Sequence, residues 1–311
     1  MRSWLASVPE PNLGLEPDGF MVEAGLGDRV HFLDWGVALP GLDARPTIVA
    51  LHGIGQTAWI WAPIGRRLGG GRAGVRFVTP DLLGHGLSDA PTDAGAYELA
   101  VLAEDAVAVA DGVGALDGGG VVLVGHGFGA IVAATAATAL GDRCAGLVLV
   151  DGGWERLDAA TGLDVDEFLR GLDEPPEVLA SIDTFLADRR GFDPASWDAD
   201  QERAARATVV ITHAGRVVSA ARPHAIEACV RSMFEYEPRP VLASLSARVI
   251  ALVGADDASG SRAAALAEVE AARVAGGRDP IETIPLDGAG HNLMRYRPRE
   301  VSAAILAAVR G

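Results

Sequence analysis

Residues 121–130 read VVLVGHGFGA, and the fold is decided by how they are read. Four branched apolar residues, Val121, Val122, Leu123 and Val124, run into glycines at alternate positions, Gly125, Gly127 and Gly129, and then into the alanine-rich AIVAATAATAL. Unbroken apolar character over a short run is the mark of a strand buried on both faces. Glycine adopts the backbone angles of a sharp turn without the steric cost that a Cβ carries. The stretch therefore predicts strand, tight turn and buried helix, with Gly127 at the apex.

The same rhythm extends outward in both directions. RVHFLDW, TIVALHG, VRFVTPD, GLVLVDG, RVIALVG and IETIPLDG are further strand-like runs, and text with apolar residues at helical spacing separates them, from TAWIWAPIGRRL to the terminal PREVSAAILAAVR. Strands alternating with helices predict an α/β fold with a doubly wound, mainly parallel sheet. The alternation breaks between about Trp154 and Ser246, where the text is helical, acidic and punctuated by proline. Because RVIALVG then resumes the strand pattern, this segment reads as an insertion. The expected division is a core of residues 1–153 and 247–311 with an inserted helical cap, 154–246, above the strand ends.

Composition narrows the function classes. Nearly half of the residues are hydrophobic, enough for a sizeable core, and the formal charge of −16 argues against a phosphate-binding surface. No nucleic-acid partner is expected. No run approaches the roughly 20 apolar residues of a membrane span, so no membrane partner is expected either. The first residues lack a signal-peptide core, and Cys144 and Cys229 have neither metal-ligand nor disulfide spacing, which together predict a reducing, cytoplasmic setting. His52, His85, His126 and His291 come from different loops without ligand spacing, and both the phosphate-loop pattern and the full dinucleotide fingerprint are missing, so no metal and no cofactor are expected.

In open α/β sheets chemistry collects at the carboxyl ends of the strands. Five strand ends here are informative: His52-Gly53-Ile54-Gly55, DLLGHGLSDAP from Asp81, the glycine turn at 125–129, Gly254-Ala255-Asp256-Asp257, and GAGHN with His291. In this order they resemble the α/β-hydrolase family over essentially the whole chain from about Phe20. The resemblance implies an eight-stranded, mainly parallel sheet, and it gives each strand end a role: LHGIG as the oxyanion loop, Gly125-His126-Gly127-Phe128-Gly129 as the nucleophile elbow, GADD as the acid loop and GAGHN as the histidine loop. That elbow has the form Gly-x-nucleophile-x-Gly, so the departure in this chain falls on Gly127, the position of the nucleophile.

By the same resemblance His291 is the general base and Asp257 the acid that orients it, with Asp256 and Asp151 as alternative acids. Backbone N–H groups of Ile54 and Phe128 would form the oxyanion hole. Trp59, Trp61 and Trp154 border the inferred cleft, and Trp59 and Trp154 are taken as candidate substrate contacts, with core packing as the competing role. His52, His85 and His126 belong to turn motifs and are read as structural. Ser88, Ser259 and Ser261 lie off the elbow and carry little weight as substitute nucleophiles.

Three functions fit a glycine at the elbow. In the first, Gly127 is a substitution, natural or engineered, in a hydrolase acting on an ester, lactone or related small apolar carbonyl compound. In the second, a natural enzyme uses His291 and its acid without a covalent step, by water activation, proton abstraction, cyclisation, epimerisation or cofactor-free oxygenation. In the third, the chain binds a ligand and no longer catalyses.

Overall fold

The computed structural model describes residues 8–36, 45–254 and 260–310. Its strands, in chain order, are β1 (Asp18–Glu23), β2 (Arg29–Asp34), β3 (Thr47–Leu51), β4 (Phe77–Pro80), β5 (Val121–His126), β6 (Cys144–Val150), β7 (Val209–Ile211), β8 (Val217–Ser219), β9 (Arg248–Val253) and β10 (Glu282–Pro285). Eight of them form one sheet in the order β1-β2-β4-β3-β5-β6-β9-β10, in which β2 is antiparallel to both β1 and β4 and the remaining pairings are parallel. This is the α/β-hydrolase fold that the strand ends imply.

The helices α1 (Ala62–Leu68), α2 (Leu99–Gly112) and α3 (Phe128–Leu140) belong to the first half of the chain. Between β6 and β9 come α4 (Leu157–Thr161), α5 (Val165–Gly171), α6 (Ile182–Gly191), α7 (Ala199–Ala207), α8 (Pro223–Glu235) and α9 (Pro238–Ser244). The last three are α10 (Ser261–Ala275), α11 (Leu293–Tyr296) and α12 (Pro298–Val309). Alternate side chains of β5 enter different layers. Val121 and Leu123 pack with Leu102 and Ala106 of α2 and Ala133 of α3, whereas Val122 and Val124 pack with Ile64 and Leu68 of α1 and Ile305 of α12. A strand covered on both faces has no polar side, which explains its unbroken apolar text. Among the described residues no helix is long and apolar enough to cross a membrane.

Two elements differ from the expectation. β1 is an antiparallel edge strand whose residues are mostly exposed, so DGFMVE carries only the three-residue apolar run Phe20-Met21-Val22, too short to announce it. The segment between β6 and β9 is mainly helical but also contains the β7–β8 antiparallel hairpin. α7 of this segment is fastened to the core by a buried ion pair, Arg66 Nε of α1 donating to both carboxylate oxygens of Asp200 at 2.8 and 3.0 Å.

The strand order reverses direction at β3 and β5, which are hydrogen-bonded neighbours with connections leaving to opposite sides. The loops that follow these two strands therefore meet at a crevice. These are the loops of residues 52–57 and of Gly127.

Candidate active site

The turn from β5 into α3 is made by Gly127, with φ +52° and ψ −115°. Its flanking glycines are required by close approach. A Cβ on Gly125 would overlap the Gly129 carbonyl oxygen, and a Cβ on Gly129 would overlap the Leu51 carbonyl oxygen. Helix α3 therefore starts directly against the ends of β3 and β5. A Cβ on Gly127 itself would meet no such obstacle: it would lie 3.3 Å from His291 Nε2, 3.6 Å from His291 Cε1 and 3.9 Å from Gly53 Cα. Position 127 points at the imidazole.

On the far side of that ring, His291 Nδ1 donates to Asp151 Oδ2 at 2.6 Å. The His291 side chain is 59% exposed and that of Asp151 is 3% exposed. Asp151 stands in the turn after β6 with φ +51°, and among the described residues no other non-glycine has a positive φ. Its Oδ1 accepts from the Gly254 N–H at 2.9 Å and from Arg262 Nη1 at 3.0 Å. Burial works to raise this carboxyl group. The His291 hydrogen bond and the Arg262 charge, aided by the Gly254 N–H, outweigh it and hold Asp151 below the usual carboxylate value. The resemblance points to Asp257 as the acid, which with Asp256 and Ser259 lies outside the described residues. The acid that meets His291 in the structure is Asp151, one of the two alternatives to Asp257.

The loop after β3 is pinned at nearly every polar group. Gly53 N–H donates to Gln56 Oε1 at 3.0 Å, Gln56 N–H to the Gly53 carbonyl at 3.1 Å, and Gly55 N–H to His85 Nε2 at 3.1 Å. No acceptor lies within reach of the Ile54 N–H or the Phe128 N–H among the described residues. These are the two donors that the resemblance puts in the oxyanion hole. Phe128 N–H is free because it opens α3, where backbone donors have no partner one turn earlier.

His52, His85 and His126 hold loops to one another. His52 donates from Nδ1 to the Gly53 carbonyl at 2.8 Å and accepts the Leu82 N–H at 2.9 Å. His85 donates from Nδ1 to the Leu83 carbonyl at 3.1 Å. Burial pushes His85 down to about 3 and lowers His52, so both rings stay neutral with one donor and one acceptor nitrogen each. His126 is likewise pushed down to about 3 by burial. Its ring centre lies 4.4 Å from that of His291, and its nitrogens reach Gln56 Oε1 and the His291 carbonyl, both at 3.1 Å. Gln56 Nε2 closes the network by donating to Asn292 Oδ1 at 2.8 Å. Oxyanion loop, elbow and histidine loop are thus tied by Gln56, His126 and Asn292.

The tryptophans separate. Trp154 and Trp61 are fully buried in the core, so Trp154 packs beneath the Arg262 guanidinium, 5.2 Å from its ring centre, and offers a substrate no surface. Trp59 is half-buried, edge-on to Trp35, and has Arg203 of α7 over its face at 3.6 Å. It stands where α7 meets the core. Sequence reasoning passed over Gln56, Asn292, Glu155 and Arg262. The first two adjoin recognised motifs, HGIGQ and GHN; nothing local to the last two marks them.

The model of the alpha/beta hydrolase family matches residues 48–304. The chain belongs to that family. It is 39% identical over 122 residues to epoxide hydrolase B of Mycobacterium tuberculosis strain H37Rv, a match covering 39% of this chain and 32% of that protein. It is 32% identical over 181 residues to lipase LipV of the same organism, covering 57% and 58%. The chain thus spans about a third of the former and under two thirds of the latter. Among solved structures, E-2-(acetamidomethylene)succinate hydrolase superposes with a TM-score of 0.76 at 21% identity, covering 95% of this chain and 100% of that one. A thermophilic esterase from Thermogutta terrifontis gives 0.63 at 21% identity, covering 94% and 98%. At such identity the two structures speak for the fold alone.

Proposed function

We propose that the protein has the catalytic machinery of a hydrolase for an ester, lactone or related small apolar carbonyl compound, with the covalent nucleophile missing at Gly127. The observation that carries this reading is the direction of position 127. A serine Cβ there would stand 3.3 Å from His291 Nε2, which places its hydroxyl within hydrogen-bond reach of the imidazole whose other nitrogen is engaged by Asp151.

With a hydroxyl at 127, His291 Nε2 takes the Oγ proton as Oγ bonds to the carbonyl carbon, and the charge on the carbonyl oxygen is met by the Ile54 and Phe128 N–H groups. Collapse breaks the carbon–oxygen bond, and the leaving alkoxide receives the proton from His291. Water then repeats the sequence on the acyl intermediate. Two free N–H donors suit a carbonyl oxygen that becomes an oxyanion. The relatives named epoxide hydrolase and lipase point to the same general class of hydrolytic chemistry. In this reading the segment from 154 to 246 is a cap that shapes the cleft, with Trp59 at its edge, and the protein works in the cytoplasm on a small molecule.

The exposure of His291 favours a second reading for the chain as it stands. Nε2 faces a place bounded by two residues without side chains, Gly127 and Gly53. There it can take a proton directly from water as the water oxygen bonds to the carbonyl carbon. The experiment is Gly127→Ser assayed on a panel of activated esters. We expect a gain of at least about 100-fold, the order that a positioned covalent nucleophile and base supply. No gain over the parent sinks the first reading, and a parent activity unaffected by His291→Ala sinks the second.

A further inference from the structure

Asp151 combines features that call for an external hold. Its backbone lies in the left-handed region, its side chain is buried, and a carboxylate gripped at Oδ2 alone is free to turn about its side-chain bonds. Its second oxygen is gripped from two other elements: by Gly254 N–H at the end of β9 and by Arg262 Nη1 near the start of α10. The Arg262 side chain is itself 15% exposed and is held by Glu155, whose two oxygens accept from Nε at 3.0 and 3.1 Å. The guanidinium thus spans two carboxylates, with the Trp154 indole beneath it.

We propose that Arg262 is a positioning residue for the site, its guanidinium holding the Asp151 carboxylate in the orientation that presents Oδ2 to His291. The fork geometry matters because a planar guanidinium directs N–H groups to both acids at once. The charge matters as well. Asp151 is buried and Glu155 partly buried, both on one short turn, and burial already raises the Glu155 carboxyl despite Arg262. Among the described residues, the groups that bear on Asp151 are His291 from the loop after β10, His126 at the end of β5, Arg262 of α10 and Glu155. Of these, Arg262 is the one permanent cation. Glu155 serves as its counterweight.

This inference rests on the proposed His291–Asp151 pair, and its test has a readout that needs no turnover. In the parent chain, the proton on His291 Nδ1 is followed by NMR as the far-downfield signal of a hydrogen bond to a carboxylate. Arg262→Gln is expected to shift or broaden that signal. In the Gly127→Ser chain, the same change is expected to lower kcat about 10- to 100-fold with KM within about threefold, the scale of one charge-assisted hydrogen bond. The acidic limb of kcat should also move up by about one pH unit, because Asp151 takes a proton more readily without the cation. A folded Arg262→Gln chain with the parent's proton signal and pH limb overturns the proposal. Should that variant fail to fold, Arg262→Lys decides: an ammonium keeps the charge but lacks the fork, so the proton signal should still move, and a lysine variant with the parent's signal overturns it. A shifted signal in Arg262→Gln alongside no esterase gain in Gly127→Ser would defeat the proposed function and leave the role of Arg262 standing.

Discussion

Replacing Asp151 by Asn in the Gly127→Ser chain tests which acid serves His291. The change keeps the volume of a nearly fully buried side chain and removes its charge. A hydrogen bond to an ionised group is worth about 1.5–3 kcal/mol, which alone corresponds to a loss of about 10- to 150-fold. A second loss adds to it. The Asn amide can donate to Nδ1, which places the imidazole proton on Nε2 and blocks the nitrogen that must act as base. Together these predict a fall in kcat of about 10⁴-fold, as expected when an orienting acid is neutralised. The assay is kcat on an activated ester across pH, with Asp257→Asn measured in parallel and thermal melting as the folding control. An Asp151→Asn chain within tenfold of its parent, beside an Asp257→Asn chain that has lost most activity, would refute the assignment of Asp151.

Two further outcomes concern stability. Gly129→Ala drives a methyl group into the Leu51 carbonyl oxygen, a backbone atom that cannot step aside, so we expect at least about 3 kcal/mol of destabilisation in chemical unfolding; a midpoint unchanged from the parent would show that the elbow is looser than described. Asp105 of α2 is buried with Oδ2 lacking a hydrogen-bond partner, and burial, with Asp28 and Glu104 nearby, raises its carboxyl to about 7. The folded chain then holds a proton that the unfolded chain releases near pH 4, so stability falls as pH rises from about 4 to about 7. At 1.36 kcal/mol per pH unit the limit is about 4 kcal/mol. Asp105→Asn should therefore stabilise the protein at pH 8 and have little effect near pH 4; equal effects at both would exclude this account.

Much of the sheet is legible because its central strands are buried on both faces and so spell unbroken apolar runs. β1 escapes notice for the opposite reason: an exposed edge strand has no face that must be apolar, and Asp18 and Glu23 sit at its ends. The three-residue strands of the β7–β8 hairpin are too short to show a period. The choice of acid shows a different limit. β6 and β9 are neighbours, with Asp151 N–H donating to the Leu252 carbonyl, so the carboxyl ends of the two strands lie side by side. Motif order alone does not separate the two acids, because Asp151 and Asp257 both fall between the elbow and His291. Arg262 lies 111 positions from Asp151 along the chain, and only the packing of α10 brings it there.

The adjacency of β6 and β9 has one more consequence. The excursion between them leaves and re-enters the sheet at strands that would pair regardless of what lies between. Closing that excursion adds little to the entropy of forming the sheet, since loop-closure cost rises only with the logarithm of length. Residues 156–246 can therefore lengthen, shorten or be exchanged without moving the strand register, and with it the spacing of Gly127, Asp151 and His291. The fold separates the part whose length is free to vary from the part that must stay fixed.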